Sequence, residues 1–144
     1  MNIVCSGALF YALDTQRFLF LHRTSGKSKQ NNMWGLVGGT NEGEETPWEG
    51  LQREIIEEIG NVEIKKTMPL ETFVSNDTKF LFHTYLCVTG EEFVPKLNNE
   101  HDGYAWVSFT SWPKPLHHGL RNTLQNKSNL TKLQTVFQVI DLIN

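Results

Sequence analysis

Glu54, Glu57 and Glu58 are carboxylates spaced i, i+3 and i+4, a spacing that gathers them on one face of a helix. They belong to a wider acidic stretch, with seven carboxylates and a single cation, Arg53, between Glu42 and Glu58. Like charges one helical turn apart cost about 0.2–0.5 kcal/mol even when exposed. A solvated helix face is one reading of such a cluster. A bound cation is the other, because it removes the repulsion. Carboxylate oxygens are hard ligands that select Mg²⁺, Mn²⁺ or Ca²⁺ over zinc. No Cys/His spacing of the zinc type occurs. Upstream, Gly38-Gly39 lets the backbone come close to a ligand, and its carbonyls can complete a metal shell. The first chemistry the residues suggest is therefore a divalent-cation site.

The elements that must position these groups follow from patterning. Thr46 reads as an N-cap, Pro47 as the first helical residue and Glu49 as the partner in a capping box. Gly60-Asn61 supplies the stop. Trp48, Leu51, Ile55 and Ile59 form one apolar stripe, which must face a core. Ahead of this helix, Ile3 to Ala12 and Arg17 to His22 read as strands across the turn Asp14-Thr15-Gln16. Trp34 to Val37 reads as a short strand closed by Gly38-Gly39, after a polar, basic loop from Thr24 to Asn32. Beyond the helix, Val62 to Ser75 and Phe80 to Val88 read as strands turning at Asn76-Asp77, and Tyr104 to Val107 as another. Leu116 to Gln125 and Leu130 to Ile143 are helical candidates. Strands on both sides of one central helix, with more helix at the end, predict an α/β sandwich.

The 144 residues fit one domain, 1–144, and carry a net charge of −3 with no basic field, which argues against a nucleic-acid partner. Apolar runs such as Phe18 to Leu21 are far too short to cross a bilayer, and no targeting or lipidation signal opens the chain. Cys5 and Cys87 sit in apolar stretches and read as buried free thiols, so a cytoplasmic location is expected.

Gly39, then Glu45, then Arg53-Glu54-Ile55-x-Glu57-Glu58-x-Gly60 resembles the Nudix box, Gly-x5-Glu-x7-Arg-Glu-U-x-Glu-Glu-x-Gly-U, where U is a bulky aliphatic. One position departs: the last aliphatic is Asn61, with Val62 following. The resemblance implies an α/β/α sandwich with a mixed central sheet. It also implies Mg²⁺-dependent hydrolysis of a nucleoside diphosphate linked to another group, with Mn²⁺ able to substitute. Glu54, Glu57 and Glu58 match the family's metal-binding or water-activating carboxylates, and the Gly38 carbonyl matches a backbone ligand. Glu45 and Arg53 match a pair that orients the loop against the helix.

Outside the box, Glu100 in Glu100-His101-Asp102 stands where many Nudix proteins bring in another acidic residue, so it joins the expected metal and catalytic set. His101 has a pKa suited to a base or a substrate contact, with an exposed loop histidine as the alternative. Arg23 and Lys27, with Lys29 nearby, are candidates to grip phosphates. His117-His118 and Trp112 read as packing around the next helix, and Phe73, Phe80 and Trp34 as core residues able to stack a base. The resemblance implies a small-molecule nucleotide substrate and no membrane partner, and it leaves a homodimer open. An intact box favours a MutT-like nucleoside triphosphate pyrophosphohydrolase. The alternatives are a nucleotide-sugar hydrolase of the GDP-mannose or ADP-ribose type, or a non-catalytic nucleotide-binding module.

Overall fold

The strand β1 (Ile3–Ala12) is the spine of the sheet, because both of its edges are paired along most of its length. The computed structural model describes residues 2–24 and 32–143, so Lys27 and Lys29 lie outside the described residues. One edge of β1 runs parallel to β6 (Phe80–Thr89), from Ile3 opposite Phe80 to Ala12 opposite Thr89. Its other edge is shared. Cys5 to Ala8 pair with β4 (Val37–Thr40), and Phe10 to Ala12 pair with β2 (Arg17–Arg23), both antiparallel. β3 (Trp34–Gly35) and β7 (His101–Ser108) add to β2, while β5 (Lys66–Val74) pairs with β6 as the outermost strand. One parallel pair among antiparallel ones makes the sheet mixed, as expected.

Period-two alternation then divides the core into two layers. Ala8, Phe10, Leu19 and Leu21 pack against Leu51, Ile55 and Ile59 of α1 (Pro47–Ile59). Leu9, Tyr11, Phe18 and Phe20 pack on the opposite side with α2 (His118–Gln125) and α3 (Lys127–Ile143), through Leu120, Leu124, Leu133 and Ile140. The result is the α/β/α sandwich.

The start of α1 is fixed as the sequence indicates. Glu49 N–H donates to Thr46 Oγ1 at 3.2 Å, and Thr46 N–H donates to Glu49 Oε1 at 2.9 Å. Gly60 ends the helix at φ 90°, a conformation that favours glycine.

Three boundaries differ from expectation, each through pairing between distant segments. Gly38-Gly39 does not close a strand but lies inside β4, where missing side chains let it run against β1. β5 starts at Lys66 rather than Val62, and Val62 and Ile64 pack beneath α1 instead. β7 starts at His101 rather than Tyr104, because β2 offers a partner as far as Arg23. Cys87 is buried and its thiol is pushed up to about 12 by that burial. Cys5 is only half-buried, with its Sγ 3.4 Å from Thr40 Oγ1. Among the described residues no helix is long and apolar enough to cross a membrane.

Candidate active site

The arrangement begins with Arg53, the only cation of the acidic stretch. Its Nε donates to Glu45 Oε2 at 2.8 Å and its Nη2 to the Thr40 carbonyl at 3.0 Å. Nη1 reaches Glu54 Oε1 at 3.0 Å and the Glu57 carboxylate at 3.5 Å. Glu45 in turn accepts the Glu42 N–H at 2.7 Å through Oε1. Glu45 and Arg53 thus tie the loop after β4 to α1. Hydrogen bonding to Arg53 holds the Glu45 carboxyl below the usual carboxylate range. Removing the acceptor charge in Glu45→Gln should loosen this loop and lower Tm by a few degrees, on the scale of about 1–2 kcal/mol. A calorimetric melt that does not move would show that the contacts of Arg53 with Thr40, Glu54 and Glu57 suffice to hold it.

The three helix carboxylates occupy different surroundings. Glu57 is at the rim, with half of its side chain exposed. Glu54 is more sheltered, and burial raises its pKa although its bond to Arg53 opposes the shift. Glu58 is 2% exposed and accepts the Gly38 N–H through both oxygens, at 3.3 and 3.4 Å. Burial pushes Glu58 up to about 8; the Gly38 bond opposes this, and Glu54 and Glu100 add to it. The contact the structure gives Gly38 here is through its N–H, whereas the sequence points to its carbonyl.

Glu100 is brought over Glu58 by Asn98. Asn98 Nδ2 donates to the Glu57 carbonyl at 3.2 Å, and its Oδ1 accepts the Glu100 N–H at 3.0 Å. The Glu100 carbonyl is held from the other side by the Thr24 N–H at 3.0 Å. Sequence reasoning missed Asn98; the signal is an Asx turn two residues before an acidic residue. Ligand atoms of Glu58, Glu100 and His101 lie within 4.8 Å of one another. The carboxylates of Glu58 and Glu100, with Glu54 close enough to act on both, suit a hard divalent cation, whereas the imidazole is not a ligand such an ion prefers. The like charges facing one another also supply the reason to bind one.

His101 is not the exposed loop histidine that the sequence allows. It is the first residue of β7, opposite Arg23, and is 5% exposed. Burial, together with the Arg23 charge, lowers its pKa. A cleft of about 570 Å³ opens beside it, lined by Arg23, His101, Gly38 and Gly39 at one end. Phe73, Phe80 and Phe82 line it as well, and Phe73 is half-exposed rather than a core residue. Phe82 was missed. Its signal is the alternation Phe80-x-Phe82, which puts both rings on one face. Trp34 packs with the core and edge-on to His22, at 5.0 Å between ring centroids.

A family model described as the NUDIX domain matches residues 4–127. The chain belongs to the Nudix family. This Nudix hydrolase acts on pyrophosphate bonds. It is 30% identical over 116 residues to the dihydroneopterin triphosphate diphosphatase of Haemophilus influenzae, covering 69% of this chain and 70% of that one. A MutT NUDIX hydrolase from Burkholderia pseudomallei superposes with a TM-score of 0.69 at 24% identity, covering 88% of this chain and 98% of that one. The E. coli dihydroneopterin triphosphate pyrophosphohydrolase gives a TM-score of 0.54 at 23% identity, over 73% and 80% of the two chains. Both superpositions bear on the fold, and the expected sandwich is the one they share.

Proposed function

We propose that this Nudix hydrolase is a Mg²⁺-dependent pyrophosphohydrolase of a triphosphate carrying a planar heterocycle, a nucleoside triphosphate first. The observation that carries this reading is the cleft, which is lined by Phe73, Phe80 and Phe82 together with Arg23 and His101, and His101 in turn borders the Glu58 and Glu100 carboxylates. Rings of this kind stack a base, and Arg23 suits an anionic chain. The similarity to the Haemophilus enzyme favours a second substrate of the same shape, a pterin triphosphate.

Glu54, Glu57, Glu58 and Glu100 would hold the cation, with the Gly38 carbonyl as an added ligand. Bound Mg²⁺, or Mn²⁺ in its place, polarises a phosphoryl oxygen and makes water a better nucleophile. Arg53 and Glu45 position Glu54 and Glu57 without touching substrate. Arg23, His101 and Lys27 bind the phosphates. Glu100, held between Asn98 and Thr24, is the carboxylate best placed to take the proton of the attacking water. The two free thiols fit a cytoplasmic protein.

The test is release of pyrophosphate and of phosphate from a panel of nucleoside triphosphates, dihydroneopterin triphosphate and nucleotide sugars, with Mg²⁺, Mn²⁺ or chelator. Pyrophosphate from the triphosphates, lost on chelation, is the expected result. Turnover confined to nucleotide sugars would overturn the substrate reading. Binding without turnover of anything would make the chain a nucleotide sensor. Within the same assay, Glu100→Gln should slow turnover at least about tenfold, or roughly 1.4 kcal/mol of barrier. His101→Ala should cost less and leave the pH–rate profile in place. An acid limb that vanishes in the histidine variant would transfer the proton-accepting role to His101.

A further inference from the structure

The start of α2 faces the same cleft and lacks the usual partners of a helix N-terminus. His117 is the N-cap, makes no side-chain capping bond, and no acidic residue follows in the first turn. The helix's first internal bond runs from the Arg121 N–H to the His117 carbonyl, at 2.8 Å. The N–H groups of residues 118–120 therefore have no acceptor within the helix. Gly119 and Leu120 line the cleft together with Arg23, His101 and His117. Arg23 stands close enough for its charge to act on both imidazoles. A second observation is independent of the helix. His101 is 5% exposed and its buried Nδ1 has no hydrogen-bond partner. Ring nitrogens beside a guanidinium, with the start of a helix lining the same cleft, are suited to an anion.

The far end of α2 leads toward the aromatic end of the cleft. Thr123 Oγ1 donates to Glu71 Oε1 at 2.7 Å, and Glu71 stands on β5, the strand that carries Phe73. From His117 to Thr123 the helix rises about 9 Å, which sets its start apart from the Glu71 contact. We propose that the N-terminus of α2, with His117, His101 and Arg23, is the subsite for the substrate's terminal phosphate. This rests on the triphosphate reading above. In that reading one water adds to the α-phosphorus and the bridging α–β P–O bond breaks. Pyrophosphate leaves with the electron pair, and the water's proton passes to a carboxylate. The subsite grips the leaving group, so it selects triphosphates over diphosphates.

The experiment titrates inorganic pyrophosphate into the metal-free protein by calorimetry and repeats it with variants. Gly119→Asp puts a negative charge at the helix start, where an acidic residue supports the helix itself. Space is available, because a Cβ there meets only the His117 ring, at 3.6 and 3.7 Å. Its Tm should be equal or higher while pyrophosphate binding weakens at least about tenfold. His117→Ala should weaken it severalfold, and Gly119→Ala should weaken it less than Gly119→Asp does. With Mg²⁺, KM for a triphosphate should rise in Gly119→Asp relative to KM for the diphosphate of the same nucleoside. Pyrophosphate binding that is absent in the parent, or unchanged in both Gly119→Asp and His117→Ala, would overturn the subsite. Binding lost in these variants while no triphosphate is turned over would uphold the subsite and sink the substrate reading instead.

Discussion

The Glu58→Gln variant should lose turnover by at least about 10²-fold and yet, in metal-free buffer at pH 9, melt above the parent. Both effects come from one buried carboxylate. Glu58 is 2% exposed, and burial, opposed by the Gly38 N–H and aided by Glu54 and Glu100, moves it from 4.5 to about 8. A carboxyl raised on folding favours the folded state while it is neutral. That advantage is complete below pH 4.5 and disappears as pH rises through about 8. The parent at pH 9 therefore carries an ionised group in a poor environment, at a cost of roughly 3–5 kcal/mol. Glutamine has the same shape and stays neutral. Its Tm should exceed the parent's by about 5–10 °C at pH 9, with the gap closing by pH 4.5. Mg²⁺ should raise the parent's Tm and do little for the variant, because a ligand that binds only the folded state stabilises it. Scanning calorimetry of both proteins at the two pH values, with chelator and then with Mg²⁺, reads all of this. A variant that melts below the parent at pH 9 would show that Glu58 is compensated by something other than a cation.

Part of this site is legible in the sequence, and the division follows the range of the interactions. The helix α1 is written locally: a capping box, a proline at the first position, an apolar stripe and a glycine stop all fall within fifteen residues. Spacing at i, i+3 and i+4 sets Glu54, Glu57 and Glu58 together on a face apart from the apolar stripe, and for Glu58 the structure corrects that reading. At about 100° per residue, Glu58 lies only about 20° from Leu51 around the helix, and Glu57 about 120° away. Glu58 therefore shares the apolar stripe, and the structure buries it while Glu57 stays at the rim. The β7 boundary and the burial of His101 are different in kind. They depend on Arg23 pairing with His101 across nearly eighty residues, and no local pattern encodes that register. Asn98 stands between these cases. Its turn is local, but the Glu57 carbonyl it reaches belongs to another element. The cleft follows the same logic, since Phe80 and Phe82 alternate visibly while Phe73 joins them only through the β5–β6 pairing.

Adjacent glycines should fail in opposite ways, which makes them a sharp test of how β4 builds the site. A Cβ on Gly38 would stand 2.1 Å from the Ser6 carbonyl oxygen and 2.8 Å from the Gly7 Cα. Both atoms belong to the backbone of β1, which is pinned along its other edge by β6, so neither can retreat. Gly38→Ala must push β4 away from the centre of the sheet, at a cost on the order of 3–5 kcal/mol, a large fraction of a domain's stability. A Cβ on Gly39 meets something softer: the Glu54 carboxylate, with its carbon and nearer oxygen at 2.6 Å. That is the far end of a flexible side chain, and a change of rotamer resolves the clash. Gly39→Ala should therefore keep the fold, with Tm within a few degrees of the parent, about 1 kcal/mol. It should still lose activity at least about tenfold, because Glu54 is turned away from its place beside Glu58 and Arg53. Denaturant melts and steady-state kinetics on the two variants separate the outcomes. A stable, active Gly38→Ala would mean that β4 can slide along β1. An unfolded Gly39→Ala would mean that the bond from Arg53 to Glu54, at 3.0 Å, holds the sheet to the helix and does more than orient a carboxylate.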